Sequence, residues 1–415
     1  MARSAWVLVA LMWVAFFLNY TDRQVVYSIF PVLKSELHLS DTQLGLTSSL
    51  FLWVYAACSS LAGELGDRIS KRTLVTLSLI LWSAVTVLTG LAGTAFTLLG
   101  CRALMGISES VFYPAAATLT AEAHGTAGRS RAIAILGTAQ LAGIVMGGWY
   151  GGFMADRQLW RTAFYILGTF GALYAIPYSL FLKRIPDPAP AIQRSWAVPA
   201  LLSIPMYRTL CVVFPSFLFV LGLIYTWLPN FFFEKFSLSL SQAGLTSTVY
   251  LQGATAVGLL LGGALADRLY HRIKTARYWL VALGLLISAP AVQLLGNSDS
   301  LFLTKCAAAA FGFGSGLSMA NFFASSFDVI PFGMRSAAVG YLNMLGGLFS
   351  GIAALLGGML KESLGIHTLM SAAAGLCLAM SGLLLLGTRL YFLRDFDRAQ
   401  EMAGIPCSPI ARPIP

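Results

Sequence analysis

The stretch FLNYTDRQVV, Phe17 to Val26, sets an aspartate and an arginine side by side inside a long apolar run. A charge at the centre of a membrane helix costs about 2.5–3.5 kcal/mol on insertion scales, so two together need water or partners. Adjacent helical residues point about 100° apart. Asp22 and Arg23 can therefore serve different surroundings, one lining a cavity and the other meeting a neighbouring helix. Asn19 and Tyr20 stand four and three residues before Arg23, near its face of the helix. A guanidinium beside a phenol and an amide suits bidentate capture of a carboxylate or phosphate. The plainer reading is a structural pair tying the first helix to the fourth.

A further carboxylate, Glu109, lies in CRALMGISES. Arg102, Gly106, Glu109 and Tyr113 follow helical spacing and form one stripe. Burial favours a neutral carboxyl and a nearby arginine favours the charged one. A carboxyl whose surroundings change can thus load and release a proton, which makes Glu109 and Asp22 the candidate carriers. The alternative is a Glu109 permanently paired with Arg23 or Arg102. Uncharged polar groups recur in other apolar runs: Gln140, Tyr225, Trp227, Tyr250, Gln252, Asn321, Tyr341 and Asn343. They are candidates for cavity lining, and Asn and Gln also serve as glue between helices.

The elements that must position these residues are membrane helices. Of 415 residues, 57% are hydrophobic and 11% charged, against roughly 25% charged in soluble domains. Twelve apolar stretches are long enough to cross a bilayer. They run over about 4–33, 43–66, 73–93, 95–123, 130–154, 161–182, 208–233, 242–266, 278–296, 301–328, 336–360 and 367–391. The first reads as a span rather than a cleavable signal. With both termini in the cytoplasm, the inner side collects about nineteen Lys and Arg and the outer side about six. The net charge of +10 then reports topology and contact with anionic lipid rather than nucleic acid.

The apolar pattern stops in KRIPDPAPAIQRSWAVP, which reads as a cytoplasmic linker. The expected organisation is a six-helix bundle over 1–182, a linker over 183–207, a second bundle over 208–393 and a cytoplasmic tail over 394–415. GELGDRISKR (Gly63–Arg72) and GALADRLYHR (Gly263–Arg272) recur at an offset of 200, each after the second span of its half. A weaker echo at offset 204 pairs Arg131 with Arg335, Gly143 with Gly347 and Gly147 with Gly351. Two matches at nearly one offset indicate duplication. Parallel six-span repeats are a known transporter plan.

GELGDRISKR resembles the Gly-x-Leu-Ala-Asp-Arg-x-Gly-Arg-Arg/Lys loop of the major facilitator superfamily, and Arg102 with Gly106 resembles its fourth-span arginine motif. NYTDR followed by GISES is similar to the anion:cation symporter and Spinster-like branches. Ser70 replaces the usual glycine of the loop, and GIVMGG (Gly143–Gly148) lacks the proline of antiporter fifth spans. The resemblance implies an all-α fold of two pseudo-symmetric six-helix bundles and proton-coupled symport of a small carboxylate such as a sugar acid. Arg23 would bind the anion, with Asp22 and Glu109 carrying protons. Gly63, Asp67, Arg68, Lys71 and Arg72, with Asp267 and Arg268 in the second half, would gate the inner side. The alternatives are a Spinster-like carrier of a lysophospholipid or other amphiphile, and a membrane sensor that kept the fold without transport. The expected partners are a small anionic substrate, protons and lipids, with a monomer in a bacterial inner membrane.

Other chemistry finds no support. The sequence lacks a phosphate-binding Gly-x-x-x-x-Gly-Lys-Ser/Thr loop, a nucleophile elbow and a zinc-protease histidine pair. Six scattered cysteines and four scattered histidines show no metal-ligand spacing. Neither an enzyme nor a cofactor is expected.

Overall fold

A computed structural model describes residues 2–183, 198–331 and 334–402, apart from the side chains of 2–4, 60–68, 125–127, 129, 130 and 336. Among these residues it contains helices and no strand. The first bundle comprises α1 (Ala2–Ser28), α2 (Phe30–Glu36), α3 (Asp41–Arg68), α4 (Lys71–Leu91), α5 (Ala95–Ser110), α6 (Phe112–Ala123), α7 (Gly125–Asp156) and α8 (Trp160–Leu182). The second comprises α9 (Val198–Leu202), α10 (Pro205–Phe236), α11 (Leu240–Tyr270), α12 (Ala276–Asn297), α13 (Leu301–Val329) and α14 (Arg335–Met402). Ten described segments have the length and composition to cross a membrane. The 28-residue α3 adds one crossing, and a break in α14 at Gly365, φ +73°, adds another, which makes twelve.

Two expected spans are broken, each near a proline. Pro31, the second residue of α2, lacks the N–H that would bond back to Tyr27, and the chain breaks between α1 and α2 at Ile29. In the fourth span Pro114 lacks the N–H that would bond back to Ser110, and the helix divides at Val111, two residues past Glu109. Local chemistry sets the other ends. Ser70, Ser239 and Ser300 accept backbone N–H groups from Thr73, Gln242 and Leu303, while Thr94 and Thr97 close a capping box.

Of the two large apolar clusters one lies within the first bundle, while the larger fills the second and runs on into α1, α2, α3, α5, α7 and α8 of the first. The outward faces stay apolar, as lipid requires: Phe170, Leu173, Ile176 and Leu180 of α8 are all more than half exposed. Below, the base is the end carrying the described chain ends, and the far end is opposite.

The bundles meet through α3 against α14 and α7 against α11. Glycines make both approaches possible. Gly45 sits on the Ala354 carbonyl, Gly358 on Asp41, Gly148 on Gly244 and Gly152 on Leu240. The bundles are joined by hydrogen bonds and ion pairs that run from the far end to the contact in which the Trp53 indole donates to Leu348 O at 3.0 Å. The Gly347, Gly351 and Gly358 stripe of α14 faces α3; Asn343, one turn nearer the base on the same stripe, is exposed. The described contacts thus hold the bundles together at the far end. The linker between Arg184 and Ala197 and the tail beyond Met402 lie outside the described residues.

Candidate functional site

Arg23 is the hub. Its Nε donates to Glu109 Oε2 at 2.6 Å, joining α1 to α5. The guanidinium carbon lies 4.7 Å from the Tyr20 ring centre and 4.8 Å from those of Phe51 and Tyr55. Three rings and a carboxylate thus surround one cation, within the range where ring faces attract it. Arg23 keeps 14% of its side chain exposed and Glu109 none. The guanidinium is therefore the accessible member of the pair and the carboxylate the enclosed one. Asn19 is buried beside Glu109, with neither amide atom closing a full hydrogen bond, and the second Glu109 oxygen is also unpartnered.

Asp22 points elsewhere, as its 100° offset requires. It lies in the wall between α1 and α4, where Thr86 Oγ1 donates to its Oδ2 at 3.0 Å. Arg102 is also structural in setting: fully buried, it donates from Nε to Thr47 O at 3.2 Å and packs its guanidinium over Phe51. Phe51 therefore lies between two arginines. Gly106 lets α5 press on the Phe51 carbonyl and the Tyr55 amide of α3. Tyr113, two-fifths exposed, stacks on Phe16 close to the cage.

The uncharged candidates divide. Tyr225 and Gln252 line a void of about 10 Å³ between the bundles, with Gln24, Ile144 and Thr248. It holds roughly one water, and the buried Gln252 oxygen there has no protein partner. Gln140, half-buried, lies one helical turn from Ile144 toward the base, and Tyr341 is half-buried on α14. Tyr250 is exposed under the Lys305 ammonium. Two candidates belong to packing instead. Trp227 is fully buried and donates to Ala354 O at 3.0 Å, and Asn321 bonds Gly262 O and Leu317 O at 3.3 and 3.0 Å. Neither offers surface to a ligand, because in apolar helices such groups first satisfy neighbouring backbone.

The base-side motif is only partly visible. Gly63 falls within α3, and the side chains of Asp67 and Arg68 lie outside the described residues. Lys71 is half-buried, and Arg72 donates to Lys183 O at 3.3 Å, a contact within its own bundle. Asp267 and Arg268 are exposed and form no ion pair with another described residue. At the second bundle's base, Asp328 of α13 takes Arg277 Nη1 at 2.5 Å and the Tyr270 hydroxyl at 3.2 Å.

The sequence reading also passed over the far-end closure. Asp41 is buried and takes Lys34 at 2.8 Å and Lys361 of the other bundle at 3.6 Å; Lys361 also meets Glu234 at 2.6 Å. Asp156, ending α7, accepts the first amides of α11, Leu240 N at 2.8 Å and Ser241 N at 2.9 Å. The signal present in sequence was a lone acid beside a serine-capped helix start.

Two helical bundles meeting through small-residue stripes around buried charges are the build of a membrane transport protein, not an enzyme. The chain belongs to the Major Facilitator Superfamily, whose family model matches residues 12–348 and 209–410. It is 30% identical over 294 residues to the "Probable sulfoacetate transporter SauU" of Cupriavidus necator, covering 65% of this chain and 66% of the relative. It is 28% identical over 408 residues to an MFS-type efflux pump of Mycolicibacterium smegmatis, covering 94% and 92%. Among solved structures, a bacterial homolog of the human lysosomal transporter Spinster, inward-facing and occupied, superposes with a TM-score of 0.80 at 22% identity, covering 94% of this chain and 97% of that one.

Proposed function

We propose that the protein moves a small organic anion together with protons by alternating access, with Arg23 as the anion anchor and Glu109 as the proton carrier. The Arg23–Glu109 pair at 2.6 Å is the observation that carries this reading. Removing one member of a buried pair costs about 3–5 kcal/mol, so an anion can take Arg23 only if Glu109 releases it neutral. Protonation of Glu109 supplies that release, and substrate and proton then favour each other's binding through one shared cation. Asp22, on the opposite face and bonded to Thr86, is a second proton site without direct substrate contact. Tyr20, Tyr113, Asn19, Gln140, Tyr225 and Gln252 supply stacking and hydrogen bonds for the remainder of the ligand.

A sugar acid or comparable carboxylate fits an arrangement with charge in one bundle and neutral polar groups in the other. The sulfoacetate relative supports an anion with a strongly acidic group. The basic excess of the base-side loops makes the base cytoplasmic. One proton carried with one monovalent anion moves no net charge, and the pH gradient then supplies about 1.4 kcal/mol per unit.

The test is uptake into proteoliposomes under an acid-outside gradient, with sugar acids, short carboxylates, sulfoacetate and lysolipids offered in parallel. Glu109→Gln is expected to keep exchange and lose acid-driven accumulation. Arg23→Lys is expected to lose anion binding, since the planar fork goes while the charge stays. Normal accumulation by Glu109→Gln removes the coupling proposal, and uptake confined to lysolipids replaces the small-anion reading.

A further inference from the structure

The chamber of about 10 Å³ on the boundary between the bundles lies just baseward of the contact that seats Gly148 on Gly244. Four helices form it. α1 gives Gln24, α10 gives Tyr225 and Pro229, α11 gives Ser247, Thr248 and Gln252, and α7 supplies an apolar wall. Both bundles thus contribute polar side chains to one space. That space admits one water-sized group and no more.

An account of its donors and acceptors leaves acceptors over. Ser247 and Thr248 give their protons to Gly244 O, at 2.9 and 2.8 Å. Pro229 has no N–H, so the Tyr225 carbonyl one turn back lacks its usual helical donor. Gln252 is 2% exposed, its amide lies against the Tyr225 hydroxyl, and its Oε1 has no hydrogen-bond partner. Two acceptors without a helical or side-chain donor therefore belong to residues that line the chamber. Gln24 and the Tyr225 hydroxyl can each give or take a proton.

The chemistry of the lining chooses among small groups. A methyl group would leave the Gln252 oxygen buried and unpaired. An ether oxygen or a carboxylate would add one more acceptor. An ammonium would bring a charge to a chamber whose lining residues include no acid. A hydroxyl donates to an unpaired oxygen and accepts from Gln24 or Tyr225. Gln24 follows Arg23 directly on α1, so the chamber begins one residue from the anion anchor. We propose that this chamber is the subsite for a substrate hydroxyl remote from the acid group, so that the substrate is a hydroxylated organic acid and Gln252 helps to select it. The inference rests on the reading of Arg23 as anion anchor. A site built to bond a hydroxyl discriminates far more strongly against its absence than an apolar pocket does against a missing methylene.

The experiment is calorimetric binding to the full chain in mild detergent. The probes are straight-chain carboxylates of four, six and eight carbons, each as the terminal hydroxy acid, its methoxy analogue and the parent acid. At the length that spans the site, the hydroxy acid is expected to bind about tenfold tighter than the parent. The methoxy analogue, which keeps the oxygen and loses the proton, is expected to bind no tighter than the parent. Gln252→Met keeps the length of the side chain and removes the amide; it is expected to bring the hydroxy-to-parent ratio close to one. Pro229→Ala returns an N–H to the Tyr225 carbonyl and is expected to lower the ratio as well. A ratio near one in the wild type at every length, with the acids still bound, overturns the hydroxyl subsite and leaves the anion reading standing; a chamber that holds only a packing water gives this result. Methoxy binding as tight as hydroxy binding overturns it too, as does an undiminished ratio in Gln252→Met, or in Pro229→Ala should the first variant not fold. If none of the acids binds, or if Arg23→Lys binds them all as the wild type does, the anion reading falls and this inference with it.

Discussion

Each buried charge in this protein has a neighbour chosen for it, and the neighbours differ in kind. Arg23 has a carboxylate and three rings, Arg102 a carbonyl and a ring, and Asp22 a hydroxyl. Asp328 has Arg277 and Tyr270 and joins α13 to α12 and α11. Its side chain is 5% exposed and that of Arg277 20%, so this pair is desolvated on one side only. Asp328→Asn strips the charge and leaves the arginine facing an amide. The expected result is a loss of about 3 kcal/mol, toward the low end for a buried pair broken on one side, seen as a lower unfolding temperature in detergent. Adding Arg277→Gln is expected to recover part of that loss, because the orphaned cation goes too. A double variant no better than the sum of the single ones would show that the two residues act independently.

At the scale of elements, α7 carries two glycine stripes that face different partners. Gly143, Gly147 and Gly151 receive α1 of the same bundle; Gly148 and Gly152 receive α11 of the other. The first stripe holds a bundle together, and in the proposed alternating-access cycle the second must come apart. A Cβ at Gly244 would fall on the Gly148 carbonyl, which is backbone and cannot swing aside. Gly244→Ala is therefore expected to hold the far ends apart. Spin labels at Gly93 and Asp299, exposed far-end positions of the two bundles, would report longer distances. An unchanged distance distribution would mean that the α7–α11 contact does not set the closure. The glycines of α7 were legible as a motif and as half of a repeat; their division of labour was not, because adjacent residues on one helix look alike until the helix has two neighbours. The same limit applies to the site. Asp22, Arg23 and Glu109 stood out as charges in apolar runs, whereas Phe51 and Tyr55, two of the three rings around Arg23, are ordinary aromatics in an ordinary span. Trp227 and Asn321 had the right chemistry for a cavity and are consumed by packing. The spans themselves could be read because hydrocarbon permits little else than a helix of that length; the breaks at Ile29 and Val111 were missed because a proline tells of a distortion but not its extent.

Over the whole molecule, the far end is held by charges and the centre by a pair that can exchange, and this separates two roles that pH could confuse. Asp41 gathers Lys34 and Lys361 across the bundle boundary, while Asp156 holds the start of α11. Opening at the far end must break these contacts. The hydrogen bond from Lys34 to Asp41 raises the lysine's pKa above its ordinary value, the largest of the influences on it. A raised folded-state pKa on a base contributes stability that is fully present below the unfolded value, about 10.4, and is lost only as pH climbs through the folded one. The Lys34 ammonium therefore stays charged throughout the neutral and acid range, and the latch does not lose this cation when a proton gradient is applied. In the proposal above the proton sensor is Glu109, not this lysine. Asp41→Asn is expected to loosen the latch and change the rate of uptake at every pH from 5 to 8 by a similar factor, leaving the pH midpoint where it was. Glu109→Gln is expected to flatten the same curve. Uptake measured across that range for both variants checks the division, and a midpoint displaced by Asp41→Asn would assign proton sensing to the far-end latch instead.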